Sequence, residues 1–370
     1  MTTRLSQQFI VDAFITPSLL KALNVKEWNS LVFVLRKEKM LARFYERIKQ
    51  VASVEMIPAD ARRHFSNAAL MSEKQNKMAV IEAKGLQTSL STTADYLVFL
   101  KGAGYAIADH VASKGRLYSD IDLVVPKKDL RDVESTLTIF GWIGKELDDY
   151  DERYYREWSH EIPPLYHHRR GTVLDVHHNF IPPVSGVKFD IEKFIHNYSH
   201  KVGELTILTE PAMFYHSAIH LLLNEDNSSA FRDITDLYLI AHEEPATIFE
   251  NVMAIAKEFG FEKVCLTAFS ILSRRFDITL PVDAQRQISQ GLRGVAHIEA
   301  KLLEAVTMPK HSDLIEGNLP VYQFLAEVRA HWLKMPIGVL CSHIAVKVYR
   351  AIAKSLFGEH IFIDKKDTQA

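Results

Sequence analysis

Between Tyr96 and Val125 the chain abandons the helical spacing that governs what precedes it, and this break constrains the fold more than any other feature. YLVFL is a short apolar run ending at Lys101-Gly102, which predicts a buried strand leading into a turn. Ala103 to Ala112 is rich in small residues and suits a helix lying close on a sheet. SDIDLVV alternates and is β-branched, so it reads as a strand, stopped by Pro126. Leu130, Val133, Leu137 and Phe140 return to helical spacing, with Gly141 placed as a C-cap. The charged and aromatic stretch from Lys145 to Glu161 is expected to be a strand or loop excursion. After Pro163-Pro164, GTVLDVHHNF is again strand-like. Strand, helix, strand, helix and further strands describe a small α/β unit.

The flanks are helical. Leu31, Val34, Leu35, Leu41, Phe44, Tyr45 and Ile48 form one apolar stripe, and a polar helical stretch follows from Pro58 to about Thr88. From Ile207 onward helix is expected to the end, apart from an irregular stretch around His311 to Pro320. The expected fold is therefore α+β: a minimal α/β core with a mixed sheet over 93–200, an N-terminal helical region over 1–92 and a C-terminal helical domain over 201–370. The net charge of −2 supplies no global basic field for nucleic acid. Two cysteines, Cys265 and Cys341, argue against a disulfide framework or a zinc site and fit a reducing cytosol. No apolar run reaches about 18 residues, and Asp12 interrupts the N-terminal one, so a cytoplasmic protein is expected.

Side chains two apart on a strand share a face, so Asp120 and Asp122 point the same way. Neighbouring carboxylates repel unless a cation lies between them, and hard divalent ions such as Mg²⁺ suit oxygen ligands. Asp175 sits inside another apolar strand, an expensive position unless it serves a site. If the two strands pair, three carboxylates converge on one or two metal ions, as in sites that clamp the oxygens of a phosphoryl displacement. The Lys101-Gly102 turn, at a strand end before a helix, suits approach of a phosphate to backbone N–H groups. A DxD pair alone also recurs on solvated strand edges; the ordered combination is the more specific signal.

The segments FLKGAGYAIADHVASKGRLYSDIDLVVPKKDL, GTVLDVHHNF, ILTEPAMFYHSAIHLLL and FRDITDLYLIA resemble the uncharacterised nucleotidyltransferase family of bacteria, which belongs to the DNA polymerase β-like superfamily. The resemblance runs from about Trp28 to His242 and is densest between Phe99 and Lys128. It implies that Asp120, Asp122 and Asp175 are catalytic metal ligands for two Mg²⁺ ions, with Mn²⁺ as a substitute. It implies that Lys101, Gly102, Arg116 and Ser119 bind the nucleotide. Better-studied members of the superfamily carry Gly-Ser at the first turn where this chain has Lys-Gly, which removes a hydroxyl contact. The implied reaction transfers NMP from a nucleoside triphosphate, ATP by default, to an acceptor with release of pyrophosphate. A protein, an RNA end, a sugar and a small molecule all stand open as acceptor. The alternative is a catalytically silent nucleotide-binding or scaffold module of the same fold.

Weaker signals stand beside these. His177 shares a face with Asp175 and either reaches the site or is a hydrogen-bonded interior histidine. His178 faces the other way, and His167 to Arg170 reads as a turn between strands. His216 and His220, four apart on a helix, lack the Glu of a metalloprotease motif and read as interior or interface histidines. Arg232, Asp233 and Asp236 either line the cleft or form a surface pair set. Lys347, Arg350 and Lys354 share a helical face, which fits a helix packed on the domain or contact with a membrane surface.

Overall fold

A computed structural model describes residues 4–144, 147, 152–317, 320–334 and 338. Four N-terminal helices come first: α1 (Gln7–Ile15), α2 (Val25–Lys37), α3 (Leu41–Val51) and α4 (Ala59–Leu90). α2 starts where Asn24 and Glu27 cap each other's backbone reciprocally, satisfying donors that the first turn leaves open. The stripe read from sequence is divided between two helices: Leu31, Val34 and Leu35 are enclosed on α2, and Leu41, Phe44 and Ile48 on α3.

The core follows as β1 (Val98–Phe99), α5 (Lys101–Ile107), β2 (Ile121–Val124), α6 (Leu130–Ile139), β3 (Trp142–Gly144), β4 (Leu165–His167) and β5 (Val173–His177). It continues through α7 (Ile191–Tyr198), β6 (Ser199–Val202) and β7 (Leu205–Leu208). All seven strands form one mixed sheet in the order β3-β4-β5-β2-β1-β7-β6. The β5–β2 and β1–β7 pairs are parallel and the other four antiparallel. The architecture is α+β, as expected.

Two local expectations are corrected. Ile207 and Leu208 belong to β7, which pairs in parallel with β1, and helix begins only at Glu210. Within the charged aromatic stretch, 152–158 is helical, with Tyr154–Trp158 wound as a π-helix, while Ser159 and His160 are irregular and Glu161 bridges to β5, so the expected strand or loop holds only at its end. The sheet edge draws the chain into β7 because its apolar residues are enclosed while β6 stays largely in solvent.

The C-terminal helices are α8 (Glu210–Leu223), α9 (Ala230–Ala241), α10 (Pro245–Phe259), α11 (Glu262–Arg275), α12 (Val282–Gly291), α13 (Val295–Thr307) and α14 (Pro320–Lys334). α8 and α9 are enclosed along most of their length, and one hydrophobic core runs from the N-terminal helices through the sheet into them. On α14, Val321, Leu325, Val328 and Trp332 are exposed, opposite the buried Ala326 and Ala330. Cys341 and the basic positions Lys347, Arg350 and Lys354 lie outside the described residues. Among the described residues no helix is long and apolar enough to cross a membrane.

Candidate active site

β2 and β5 run parallel with Asp122 opposite Asp175 in register. Neighbouring strands stand about 4.8 Å apart, so the two carboxylates emerge side by side from one face of the sheet. Ile121, Leu123, Leu174 and Val176 alternate with them and are buried. Asp120 precedes Asp122 by two residues at the strand entrance. All three aspartates line a cavity of about 970 Å³, with Asn224, Arg232 and Asp233 of the helical region on the wall as well.

Asp122 is tightly partnered. Lys101 Nζ lies 2.6 Å from its Oδ1 and His177 Nε2 3.1 Å from the same oxygen. Burial alone would raise its pKa, but Lys101 and His177 outweigh it and hold the carboxyl well below the usual range. His177 is buried and Lys101 half-buried, and burial would lower both, yet their carboxylate neighbours raise them. Lys101 carries a φ of 41° at the junction of β1 and α5. Left-handed backbone costs a non-glycine residue roughly 1–2 kcal/mol, and such strain clusters at working sites.

The other two carboxylates lack that compensation. Burial and then Asp122 push Asp120 up, against Lys101 and a hydrogen bond from Ser119. Asp175 Oδ1 is buried with no hydrogen-bond partner. Burial, Asp122 and Glu161 lift its pKa from 3.8 to about 7. An acid whose folded pKa exceeds its unfolded value favours folding while protonated. That contribution is complete below about 3.8 and is lost as the pH rises through about 7. In EDTA, Asp175→Asn is therefore expected to melt with the wild type near pH 4 and above it at pH 8. A variant that melts below the wild type at pH 8 would contradict this origin of the shift.

The remaining expected nucleotide contacts are placed differently from one another. Lys101 is in the cavity wall against Asp122, and Ser119 is exposed at the cavity beside Asp120. Gly102 is buried, and a Cβ there would stand 2.7 Å from the Tyr118 ring, so packing by itself requires the glycine. Arg116 also lines the cavity, but its Nη1 is bound to Asp236 and lies 3.2 Å from Asp233.

Arg232, Asp233 and Asp236 are not a surface set. Arg232 and Asp236 are buried, Arg232 contacts Asp233 at 2.8 Å, and Asp236 accepts from Arg43 at 2.5 Å as well as from Arg116. Arg116 also accounts for the lowered pKa of Asp233: burial would raise it, but Arg232 and Arg116 prevail.

Among the weaker signals, His177 joins the site through Asp122. His178 is buried elsewhere, 3.2 Å from the Ser159 carbonyl. His168 to Arg170 form the turn after β4, and Arg170 ion-pairs with the buried Glu82. His216 is buried and held well below its usual pKa by burial and by Lys101, while His220 lines the cavity. Two cavity residues went unnoticed in the sequence. Glu161 Oε2 lies 3.2 Å from His177 Nδ1, and His160 stacks at a tilt with its ring centroid 5.4 Å from that of His177. Their only sequence signal is a His-Glu pair just ahead of Pro163-Pro164.

Comparison with known proteins adds one finding. No curated protein and no solved structure matches the chain. The sequence model of a family described as "Uncharacterised nucleotidyltransferase" matches residues 24–277, farther toward the C-terminus than the resemblance around the aspartates alone. The match spans the N-terminal helices from α2, the whole sheet and the helices through α11, well over half of the chain, and so the chain belongs to the uncharacterised nucleotidyltransferase family.

Proposed function

We propose that this protein transfers NMP from a nucleoside triphosphate to an acceptor hydroxyl, releasing pyrophosphate, with Asp120, Asp122 and Asp175 holding Mg²⁺. The observation that carries the reading is the register of β2 on β5, which sets Asp122 beside Asp175, whose buried Oδ1 has no partner. Asp122 and Asp175 stand side by side, with Asp120 at the strand entrance, and the three do not lie within 4.8 Å of one another. A cation held by all three would have to draw Asp120 toward the pair; burial and mutual repulsion, which push two of these carboxyls up, favour a hard divalent ion there. Bound there, Mg²⁺ neutralises charge developing on the phosphate oxygens. The cavity is of the size that ligand sites take, about 300–1,000 Å³.

The protein's own groups supply positioning and proton transfer. The acceptor oxygen attacks the α-phosphorus, the bond to the bridging oxygen of the β-phosphate breaks, and pyrophosphate leaves. Asp175, ionised beside the cation, is placed to orient the acceptor hydroxyl and to take its proton. Lys101 stands where its ammonium can offset triphosphate charge once Asp122 is engaged by the cation.

One observation favours a second reading. Lys101 already supplies Asp122 with a cation, an arrangement that also suits a module of this fold that binds nucleotide without turnover. Calorimetry with Mg²⁺ and each nucleoside triphosphate tests the binding that both readings share. We expect wild type to bind at least one of them and Asp120→Asn/Asp122→Asn to bind none. No binding by wild type, or equal binding by the variant, would overturn the proposed site. Binding without pyrophosphate release across an acceptor screen would overturn transfer and leave the silent module.

A further inference from the structure

We propose that His160, Glu161 and His177 form a second cation site, for Zn²⁺, in the wall of the same cavity. One ligand atom from each lies within 4.8 Å of the other two, the one such trio of His, Cys, Asp or Glu among the described residues. Bonds of 2.0–2.2 Å put the ligands of a tetrahedral zinc roughly 3.3–3.5 Å apart. His177 Nδ1 and Glu161 Oε2 already stand 3.2 Å apart.

The backbone holds the trio together. Glu161 and His177 face each other in an antiparallel bridge. Ile162 donates to the Val176 carbonyl at 3.0 Å, and His178 to the His160 carbonyl at 2.8 Å. The His160-Glu161 segment is therefore pinned to β5 independently of any ion.

A second feature is the surroundings of His177. Its Nε2 lies 3.1 Å from Asp122 Oδ1. With a cation on Nδ1, the ring N–H is on Nε2 and donates to Asp122. A carboxylate on the far nitrogen is the arrangement that orients metal-bound histidines. Two imidazoles and a carboxylate are a zinc donor set that leaves a fourth position, and all three residues line the cavity. The fourth ligand is then a phosphate or hydroxyl oxygen of whatever occupies that space.

This site stands whether or not the protein transfers nucleotides, and metal content reads it directly. Protein saturated with Zn²⁺ and dialysed into Mg²⁺ buffer is expected to keep one zinc per chain, measured by elemental mass spectrometry. His160→Ala and Glu161→Gln should each lose it, while Asp175→Asn keeps it. Asp122→Asn should keep the site but bind zinc about 10–100-fold more weakly. Wild type that keeps no zinc, or zinc lost from Asp175→Asn and kept by the His160 and Glu161 variants, would overturn the proposal. Co²⁺ loaded into wild type removes any dependence on how the variants fold. Visible bands of a four-coordinate, histidine-bound ion are expected, and their absence would refute it.

Discussion

Asp236→Ala is expected to unfold at a much lower urea concentration than wild type, with a loss of about 3–5 kcal/mol, the range measured when one partner of a buried ion pair is removed. Asp236 is 2% exposed and sits between Arg43, 1% exposed, and the buried Arg116. Arg43 keeps only neutral acceptors without it: the Ala112 carbonyl at 2.5 Å, Thr235 Oγ1 at 2.9 Å and the Arg232 carbonyl at 3.3 Å. The substitution would therefore strand positive charge in an interior that cannot hydrate it. The network also joins α3, the segment after α5 and α9, so the loss should be global rather than a local loosening. Because apolar residues often replace a buried pair at little cost, Arg43→Met in the Asp236→Ala background is expected to recover part of the stability. A loss below about 1 kcal/mol, of the order seen for an exposed pair, would contradict this picture.

The second large effect falls on activity. Asp122→Asn should lower NMP transfer by about a thousandfold or more, because a catalytic cation is worth several kcal/mol and each 1.4 kcal/mol is tenfold in rate. The substitution removes the negative charge that Lys101 and His177 both engage while keeping the side chain's shape. Asn keeps the shape but leaves Lys101 and His177 without their carboxylate, so some stability is lost as well, and a circular dichroism spectrum unchanged at the assay temperature separates lost chemistry from lost structure. Pyrophosphate release read in the same samples checks the prediction. A variant that turns over within tenfold of wild type would remove Asp122 from the catalytic group.

Much of this was legible wherever the pattern is local. The alternation of SDIDLVV and the apolar frame around Asp175 announce both strands, and the period of two places Asp120 with Asp122. The register that sets Asp122 opposite Asp175 has no local signature, since parallel strands meet only through the intervening chain. The same limit conceals the partners of Arg116: they lie 117 and 120 residues away, so only the folded chain shows that this cavity-lining arginine is also held by two aspartates of α9. β6 escaped notice because SHKV is mostly solvent-exposed and carries no apolar alternation. Glu161 and His160 escaped because their approach to His177 depends on a bridge to β5. Gly102 carried a double meaning: a glycine before a helix suits a phosphate, and it equally suits a tyrosine ring pressed against the backbone.

The most direct test of the central claim follows the label rather than the residue. The protein is incubated with Mg²⁺ and a nucleoside triphosphate labelled at the α-phosphate in one sample and at the γ-phosphate in the other, with cell extract as the source of acceptors. Transfer of NMP predicts label on an acceptor from the α-labelled nucleotide alone, with the γ-label leaving in pyrophosphate. Label transferred from the γ-position, or no α-label above a sample without the protein, would contradict it.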